Sequence, residues 1–543
     1  MHIILFVLFS SYFFLLGRGS ILLINKVFKI KLLDDNSKIF ETSLIVFYPL
    51  LGLIIFGNYM FLVNFFFPIN NLMILPTISI MLLCNFYEKI NLYSNIKIYA
   101  ISLINTIILS ISSYNINFQY DAGYYHLNYQ NWLREFKLVP GLNNLNAAFG
   151  TSSIVDYISA PLWLKDNLIL LHYITILFLG IFVNFVFYHL IVSRNNYFLF
   201  TSFIVIAYGL LDNFGIGGGR NGFFTIHGII KPDIASSVLF YLNSIFCTYI
   251  LISKKFNKID LILLNIFIIF SFQLKISSSL LFIYFMFILI KSQKLTFRNL
   301  IFTNIILALW LIKSLLLTSC LLYPVEITCI NLPWFNLDAI SGIKNVTGEF
   351  NNSYLLGNSV TEWFNDWILI EINRTILYNF FISFFVLTIV KHLLTVKISE
   401  SKKGYIVIPI AFVVMNYLIW IVGAAHPRFI YGLFAFTVSL LFLDFQNRKL
   451  RFKINSNINL ILLGFGIFTV LLIPRINSYK AFIDDPFKSP SIKPDIVEYI
   501  DLRDNWVLPL SGDQCWVNLN CIPYDKNIKK EQFFNYFTYV VNR

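Results

Sequence analysis

Residues 168–193 read LILLHYITILFLGIFVNFVFYHLIVS, a run that contains no Asp, Glu, Lys or Arg. A helix needs about 20 predominantly apolar residues to cross the hydrocarbon core of a bilayer, so this run predicts a membrane-spanning helix. The whole chain of 543 residues has the same character, since 57% of it is hydrophobic and only 13% is charged. This composition excludes a soluble enzyme, a disordered chain and a small disulfide-stapled secreted protein.

Apolar runs of this kind recur along the chain and predict an all-α polytopic membrane protein with roughly fourteen transmembrane helices. The predicted spans lie near residues 2–17, 42–65, 71–86, 97–113, 168–193, 195–212, 233–252, 257–272, 276–291, 299–317, 376–395, 405–423, 427–445 and 457–474. The first run lacks a basic n-region, so we interpret it as a span and not as a cleaved signal. The sequence thus divides into a transmembrane domain, 1–474, and a C-terminal segment, 475–543.

The distribution of Lys and Arg predicts the orientation. Cytoplasmic loops are enriched in these residues, and every short basic connection falls on one side if both termini are outside. We therefore assign the excess of 41 basic over 28 acidic residues to the orientation of loops and not to nucleic-acid binding. The expected location is a bacterial inner membrane. Three long loops, 114–167, 212–232 and 318–375, are then extracytoplasmic together with the small C-terminal segment, and loops of this length are commonly functional.

The first outer loop contains the string Tyr120-Asp121-Ala122-Gly123-Tyr124-Tyr125-His126. An aromatic belt at the membrane surface explains its tyrosines, but it does not explain an Asp and a His beside them. We expect these residues to begin an interfacial helix that ends at Pro140-Gly141. Asp121 and His126 are candidate catalytic residues, and Tyr124 and Tyr125 are candidate substrate-binding residues. A carboxylate here can act as a general base for a hydroxyl or as a metal ligand.

The second outer loop reads Gly217-Gly218-Gly219-Arg220-Asn221-Gly222 and continues to His227 and Lys231. Glycines allow a ligand to approach the backbone, and the cations can bind a phosphate. The loop is not a P-loop, because no Gly-Lys-Ser/Thr follows. The alternative is a turn with an Arg at the membrane edge. Asp233, two residues further on, is interpreted as favouring the start of a helix.

Two tight connections between predicted spans also carry ionisable side chains. Lys275 follows Gln273-Leu274, and His426-Pro427-Arg428-Phe429 links two other spans. Ionisable groups next to spans are costly, so Lys275, His426 and Arg428 are further candidate substrate-binding residues. For a lysine, the alternative is that the side chain extends to the headgroups.

Cysteines in the outer segments form two pairs that are close in sequence. On the oxidising side of the membrane these spacings predict local disulfides, Cys320 with Cys329 and Cys515 with Cys521. The other two cysteines lie in predicted spans and are interpreted as apolar packing residues. No Cys/His spacing matches a zinc site, so whether a metal is bound, such as a divalent cation, stays open.

A carboxylate, histidines and several cations at the outer face suit a lipid-linked phosphosugar. Its phosphate would lie at the headgroup level, its tail between helices and its sugar among the outer loops. The cations can bind the phosphate as a leaving group, and Asp121 can deprotonate an acceptor hydroxyl. The cations in question are Arg220, Lys231, Lys275 and Arg428.

Several strings resemble those of a family of uncharacterised bacterial multi-pass membrane proteins. They are Asp121-Ala122-Gly123-Tyr124-Tyr125-His126, Val139-Pro140-Gly141-Leu142, Leu322-Tyr323-Pro324, His426-Pro427-Arg428-Phe429 and Gly512-Asp513-Gln514-Cys515-Trp516. More loosely, the many spans and an acid in a large outer loop resemble the GT-C superfamily of polyprenyl-phosphate-sugar-dependent glycosyltransferases. In that superfamily the acid usually follows the first span, whereas three more predicted spans precede Asp121, and no Asp-x-Asp is present at the site.

The resemblance to GT-C implies a membrane glycosyltransferase that takes its sugar from a polyprenyl-phosphate carrier at the outer face. Its acceptor would be a cell-surface glycan, lipid or protein. The alternatives are a polysaccharide polymerase or ligase, and a transporter or flippase of lipid-linked sugars. A transporter should show repeats and interrupted helices at the midplane, and neither is evident in the sequence. The enzyme would be favoured over the transporter if one cavity brought together Asp121, Arg220, Lys275 and Arg428.

Overall fold

The apolar runs of the sequence form long helices in the computed structural model. The structure describes the chain except residues 28–33, 36, 88–94, 116, 194, 217–223, 225, 227, 229–230, 294–296, 348–358, 394–402, 424, 442, 444–455, 503–504, 525–527, 534–535 and 542–543. Arg220 and His227 lie outside the described residues.

Six helices in the described part of the chain are long and apolar enough to cross a membrane. They are His2–Val27, Leu44–Asn64, Ile169–Ile191, Asp233–Ser253, Leu300–Thr318 and Glu371–His392. The first is longer than the predicted span 2–17, so Arg18 lies within it. Shorter apolar helices occupy other predicted spans and include Asn71–Phe86, Ile96–Ser112, Ile276–Ser292, Val407–Gly423 and Pro427–Leu440. The helices indicate a membrane protein, while the number of fourteen spans stays a prediction.

The remaining helices and strands are shorter or more polar. Further α-helices are Leu127–Glu135, Ile154–Ser159, Asn196–Asn213, Lys258–Leu274, Leu337–Thr347, Val360–Leu369, Ser456–Leu472 and Ile476–Asp484. Antiparallel strand pairs are Lys38–Ile39 with Thr42–Ser43, Tyr499–Asp501 with Val507–Pro509, and Ile528–Phe533 with Tyr536–Val541. The helix that follows Asp121 ends at Glu135, before the predicted stop at Pro140-Gly141.

Burial separates the long helices into inner and outer ones. The most apolar window of Asp233–Ser253 is 100% buried, and that of Ile169–Ile191 is 89% buried. The corresponding windows of Leu300–Thr318 and Glu371–His392 are only 22% and 33% buried. A helix that is apolar all round and fully buried belongs to the centre of a bundle, whereas exposed apolar helices are suited to contact lipid.

The C-terminal segment packs against the connecting segments 114–167 and 318–347. The side-chain amide of Asn144 donates to the carbonyl oxygens of Trp334 at 3.1 Å and Tyr539 at 2.7 Å. The hydroxyl of Thr538 donates to the Pro140 carbonyl at 3.0 Å. Three stretches predicted to be extracytoplasmic therefore contact one another. The side of a membrane on which they lie stays a prediction.

Candidate functional site

An ion-pair cluster forms where two connecting segments meet the start of the buried helix Asp233–Ser253. The Asp233 carboxylate contacts the ammonium of Lys275, and its other oxygen lies 3.9 Å from the ammonium of Lys231. Asp233 is only 4% exposed. An acid in the first turn stabilises a helix start, but the burial of this one also requires nearby cations. Lys275 provides one from the tight turn after the helix Lys258–Leu274.

Arg428 reaches this cluster from the short helical turn Pro427–Ile430. The turn is capped by His426, whose Nδ1 accepts a hydrogen bond from the Arg428 amide at 3.1 Å. Burial, and secondarily the nearby Arg428 cation, lower the pKa of His426 to about 3. The imidazole is therefore neutral at pH 7 and carries its proton on Nε2.

Close packing of two helices fixes the position of Arg428. A Cβ atom at Gly432 would lie 2.4 Å from the Ser237 carbonyl oxygen, so only glycine allows this approach. The helix Tyr431–Leu440 consequently packs directly on Asp233–Ser253. The turn that precedes it is thereby held beside Asp233.

Asp121 joins the cluster from the first outer loop. Its Oδ2 lies 3.7 Å from Nη1 of Arg428, and both side chains are partly exposed, at 25% and 32%. The residue leads directly into the turn Ala122–His126. The site thus combines an accessible carboxylate with Arg428 and with the more deeply buried Lys275 and Asp233.

An aromatic ring orders the cations. The ammonium of Lys275 lies 4.0 Å from the centre of the Phe429 ring, and the guanidinium of Arg428 lies 5.1 Å from it. Cations over an aromatic face are stabilised by about 0.5–2 kcal/mol, so Phe429 holds two like charges near each other. Nε of Arg428 is buried and has no hydrogen-bond partner among the described residues.

The two candidate tyrosines lie on either side of the turn that follows Asp121. Burial, and then the charge of Asp121, raise the pKa of Tyr125 well above its ordinary value, so this phenol stays neutral. Burial, and then the neighbouring phenol of Tyr524, raise the pKa of Tyr124. Tyr125 consequently lies on the side of the charged cluster, and Tyr124 lies on the side of the C-terminal segment.

His126 lies beneath the site and not at its surface. It is 1% exposed, and its Nδ1 is 2.8 Å from Oδ1 of Asp156. The same carboxylate accepts hydrogen bonds from Gln130 at 3.1 Å and from the Ser153 amide at 2.9 Å. His126 Nε2 is buried and has no hydrogen-bond partner in the described part of the chain.

Asp156 is a site residue that sequence reasoning missed. It forms a capping box with Ser153 at the start of the helix Ile154–Ser159. The spacing Ser153-Ile154-Val155-Asp156 is a readable signal for a helix start, although it does not reveal the contact with His126. Lys313 lies near Asp156 and donates to the Ser152 hydroxyl at 2.6 Å.

The C-terminal segment covers part of the Asp121 turn. The Trp516 amide donates to the Gly123 carbonyl at 2.8 Å. A Cβ atom at Gly123 would lie 2.7 Å from the Trp516 ring, so the contact depends on glycine. The residues around Trp516 are closed into a loop by the disulfide between Cys515 and Cys521.

A second disulfide joins Cys320 to Cys329 in the connecting segment 318–347. Within the described ranges, no group of three or more His, Cys, Asp or Glu side chains is placed to hold a metal ion. A divalent cation at the site therefore stays a hypothesis without a ligand set.

These features define a mainly helical protein with several potential membrane spans and a cluster of paired charges at the helix ends. The chain belongs to the family described as a domain of unknown function (DUF8201), which matches residues 1–435. No curated protein and no solved structure matches the sequence. The matched region contains Asp121, Asp233, Lys275 and Arg428, whereas the C-terminal segment lies beyond it.

Proposed function

We propose that this protein is a GT-C-like membrane glycosyltransferase that uses a polyprenyl-phosphate-linked sugar as its donor. The observation that carries the proposal is the 3.7 Å contact between Asp121 and Arg428, beside the buried Lys275–Asp233 pair. A candidate base and phosphate-binding cations thus lie within one cluster at the helix ends. The donor that suits this arrangement has a phosphate at the headgroup level and a tail among the helices.

The cations of the cluster account for binding of the donor phosphate. Lys231, Lys275 and Arg428 face the carboxylates of Asp121 and Asp233, which leaves positive charge for an anion. Nε of Arg428, which has no hydrogen-bond partner in the described part of the chain, is proposed as a further donor for a phosphate oxygen. Guanidinium and ammonium groups stabilise the negative charge that develops on a leaving phosphate. Arg220 and His227 lie outside the described residues, and their part in donor binding stays a prediction from the sequence.

Asp121 is proposed as the general base. It accepts the proton of the acceptor hydroxyl while that oxygen attacks the anomeric carbon of the donor sugar. The bond between the anomeric carbon and the phosphate oxygen breaks, and polyprenyl phosphate leaves as the anion. His126 acts as a positioning residue in this scheme, because its imidazole is buried and fixed by Asp156. The acceptor is a glycan, lipid or protein of the cell surface.

The proposed setting is the bacterial inner membrane, with the site and both termini on the outer side. It rests on the distribution of Lys and Arg among the connecting segments. The exposed apolar helices Leu300–Thr318 and Glu371–His392 are then the surfaces that contact lipid.

The test is sugar transfer in membranes supplied with a radiolabelled polyprenyl-phosphate-linked sugar. We expect Asp121→Asn to reach normal abundance and to lose transfer by about 100-fold or more, the usual contribution of a general base. Asp166→Asn is the matched control, because Asp166 is an exposed acid in the same loop. Its activity should equal that of the wild type.

Other outcomes distinguish the alternatives. If Asp121→Asn is fully active, Asp121 is not the general base, and the proposed mechanism is wrong. Label that accumulates in products of increasing chain length would favour the polymerase, and transfer of a completed glycan would favour the ligase. If the wild type transfers nothing while labelled lipid changes sides of the membrane, the protein is a flippase.

A further inference from the structure

Three tyrosines gather near Asp121, and two of them are exposed. Tyr120 is 58% exposed, and Tyr524 of the C-terminal segment is 50% exposed. The rings of Tyr120 and Tyr124 have centres 6.0 Å apart and are inclined by only 28°. The phenol of Tyr524 lies close to that of Tyr124 and completes the set. We call these three residues the tyrosine patch.

Polar groups of the C-terminal segment border the tyrosine patch. The Tyr120 hydroxyl donates to the carboxylate of Asp513. The side-chain amide of Gln514 donates to the Tyr120 carbonyl at 3.2 Å. The side chains of Asp513 and Gln514 are partly exposed. Each can therefore form further hydrogen bonds with a ligand.

Aromatic rings bordered by a carboxylate and an amide are chemically complementary to the surface of a sugar. A pyranose ring presents a face of C–H groups with partial positive charge and an edge of hydroxyl groups. Aromatic faces are negative and attract the C–H groups, while carboxylates and amides bind the hydroxyls. A membrane-interface belt requires aromatic rings that reach the headgroups, but it does not require a carboxylate and an amide at their border.

We propose that the tyrosine patch, together with Asp513 and Gln514, is a carbohydrate-binding subsite that holds the acceptor sugar against Asp121. The inference rests on the proposed function and narrows it, since it selects a glycan acceptor over a lipid or a protein. Tyr120 precedes Asp121 in the chain, so a sugar stacked on its ring brings hydroxyls near that carboxylate.

The subsite combines two distant parts of the sequence. Tyr120 and Tyr124 come from the first outer loop, and Tyr524 comes from the C-terminal segment. The contact between the Trp516 amide and the Gly123 carbonyl holds the two parts together. Specificity for the acceptor is therefore divided between them.

The test uses the full chain in lipid nanodiscs, because sugar-based detergents would compete for the subsite. Binding of disaccharides that contain glucose, galactose, mannose, rhamnose or N-acetylglucosamine is measured by saturation-transfer NMR. We expect at least one of them to bind, and Tyr120→Ala and Tyr524→Ala to weaken that binding about tenfold through loss of the aromatic face. Tyr120→Phe retains the ring and should bind nearly as the wild type does. Phe487→Ala is the control, since Phe487 is an aromatic residue of the C-terminal segment that is 85% exposed and lies outside the patch.

Failure of the subsite and failure of the proposed function give different results. If no sugar binds, or if the alanine variants bind as well as Tyr120→Phe and the wild type, the subsite is refuted even where sugar transfer persists. If sugars bind at the patch and even the wild type transfers no label, the subsite stands and the glycosyltransferase proposal falls. Asp121→Asn should retain sugar binding while it loses transfer, which separates the two roles.

Discussion

The carboxylate of Asp121 lies 3.7 Å from the guanidinium of Arg428, although the two residues belong to segments far apart in the sequence. Both side chains are partly exposed, whereas the neighbouring Asp233 is almost fully buried. A ligand anion can therefore compete with Asp121 for Arg428 and leave the carboxylate free to accept a proton. In the proposed function, Arg428 would thus exchange Asp121 for the donor phosphate.

Substitution Arg428→Lys tests this exchange. Lysine keeps the charge but loses the planar fork that binds two oxygens at once, so we expect kcat for sugar transfer to fall about tenfold or more. Phe429→Leu removes only the ring beneath the cations and should have a smaller effect. The measurement is kcat and KM for the labelled donor. Unchanged kinetics of Arg428→Lys would show that the guanidinium does not contact the phosphate.

The Lys275–Asp233 pair predicts a non-additive effect on stability. Lys275→Met leaves the Asp233 carboxylate buried beside Lys231 and should lower the free energy of unfolding by about 3 kcal/mol. The double variant Lys275→Met/Asp233→Asn removes both charges and should be more stable than that single variant. The double-mutant cycle is measured by unfolding the wild type, Lys275→Met, Asp233→Asn and the double variant in detergent. Additive losses would mean that the two charges do not interact across this contact.

Asp156 stabilises the layer beneath the site. Asp156→Asn weakens its hydrogen bonds to His126, Gln130 and the Ser153 amide, so we expect a loss of about 2 kcal/mol in the free energy of unfolding. Ser153→Ala is the comparison, since it removes the hydroxyl cap and should cost about 1 kcal/mol. Thermal unfolding of the purified protein gives both values. Equal stability of Asp156→Asn and the wild type would contradict the buried network.

His426 predicts a dependence of stability on pH. Its pKa of about 3 in the folded protein is below the ordinary value near 6.5, so the unfolded chain binds a proton that the folded chain does not. Stability should therefore fall as the pH decreases from about 6.5 towards 3, by up to about 1.4 kcal/mol per unit. His426→Asn keeps an acceptor for the Arg428 amide and should show a shallower slope. Equal slopes of unfolding temperature against pH would contradict this assignment.

Gly123→Ala tests how the C-terminal segment is attached. The added methyl group would lie 2.7 Å from the Trp516 ring and 2.9 Å from the Gln514 side chain. We expect overpacking of about 1–3 kcal/mol and faster proteolysis within residues 475–543. Gly342→Ala is the matched control, because among the described residues no atom outside the backbone of its own helix lies within 4 Å of a Cβ there. Equal cleavage rates for the two variants would show that Trp516 can move aside without cost.

The helices could be predicted well because apolar length is a local property of the sequence. The predicted span 168–193 corresponds to Ile169–Ile191, and 233–252 corresponds to Asp233–Ser253. The first helix extends beyond the predicted span 2–17, since the apolar run stops before Arg18 while the helix continues to Val27. There the charged side chain is satisfied by Asp35 at 2.9 Å, a contact that the local pattern does not contain.

The site was predictable as a set of residue types and not as a set of contacts. Lys275 and Arg428 were identified because ionisable groups beside apolar helices are costly, and Asp121 because an aromatic belt does not explain a carboxylate among its tyrosines. Their partners depend on how distant segments pack, and no spacing in the sequence relates Arg428 to Asp121 or His126 to Asp156. The role of Asp233 was underestimated for the same reason, since its burial between cations arises only from the tertiary structure.

The contacts of the C-terminal segment have a consequence for biosynthesis. Residues 475–543 emerge from the ribosome only after every predicted membrane helix has been synthesised. Insertion of the helices therefore precedes docking of this segment. Throughout insertion, the turn at Gly123 is not yet covered by Trp516. The tyrosine patch is likewise without Tyr524 until translation has passed that residue. A newly inserted molecule thus acquires its charged cluster before its complete tyrosine patch, so the sugar recognition proposed for that patch would report that synthesis has extended beyond the membrane domain.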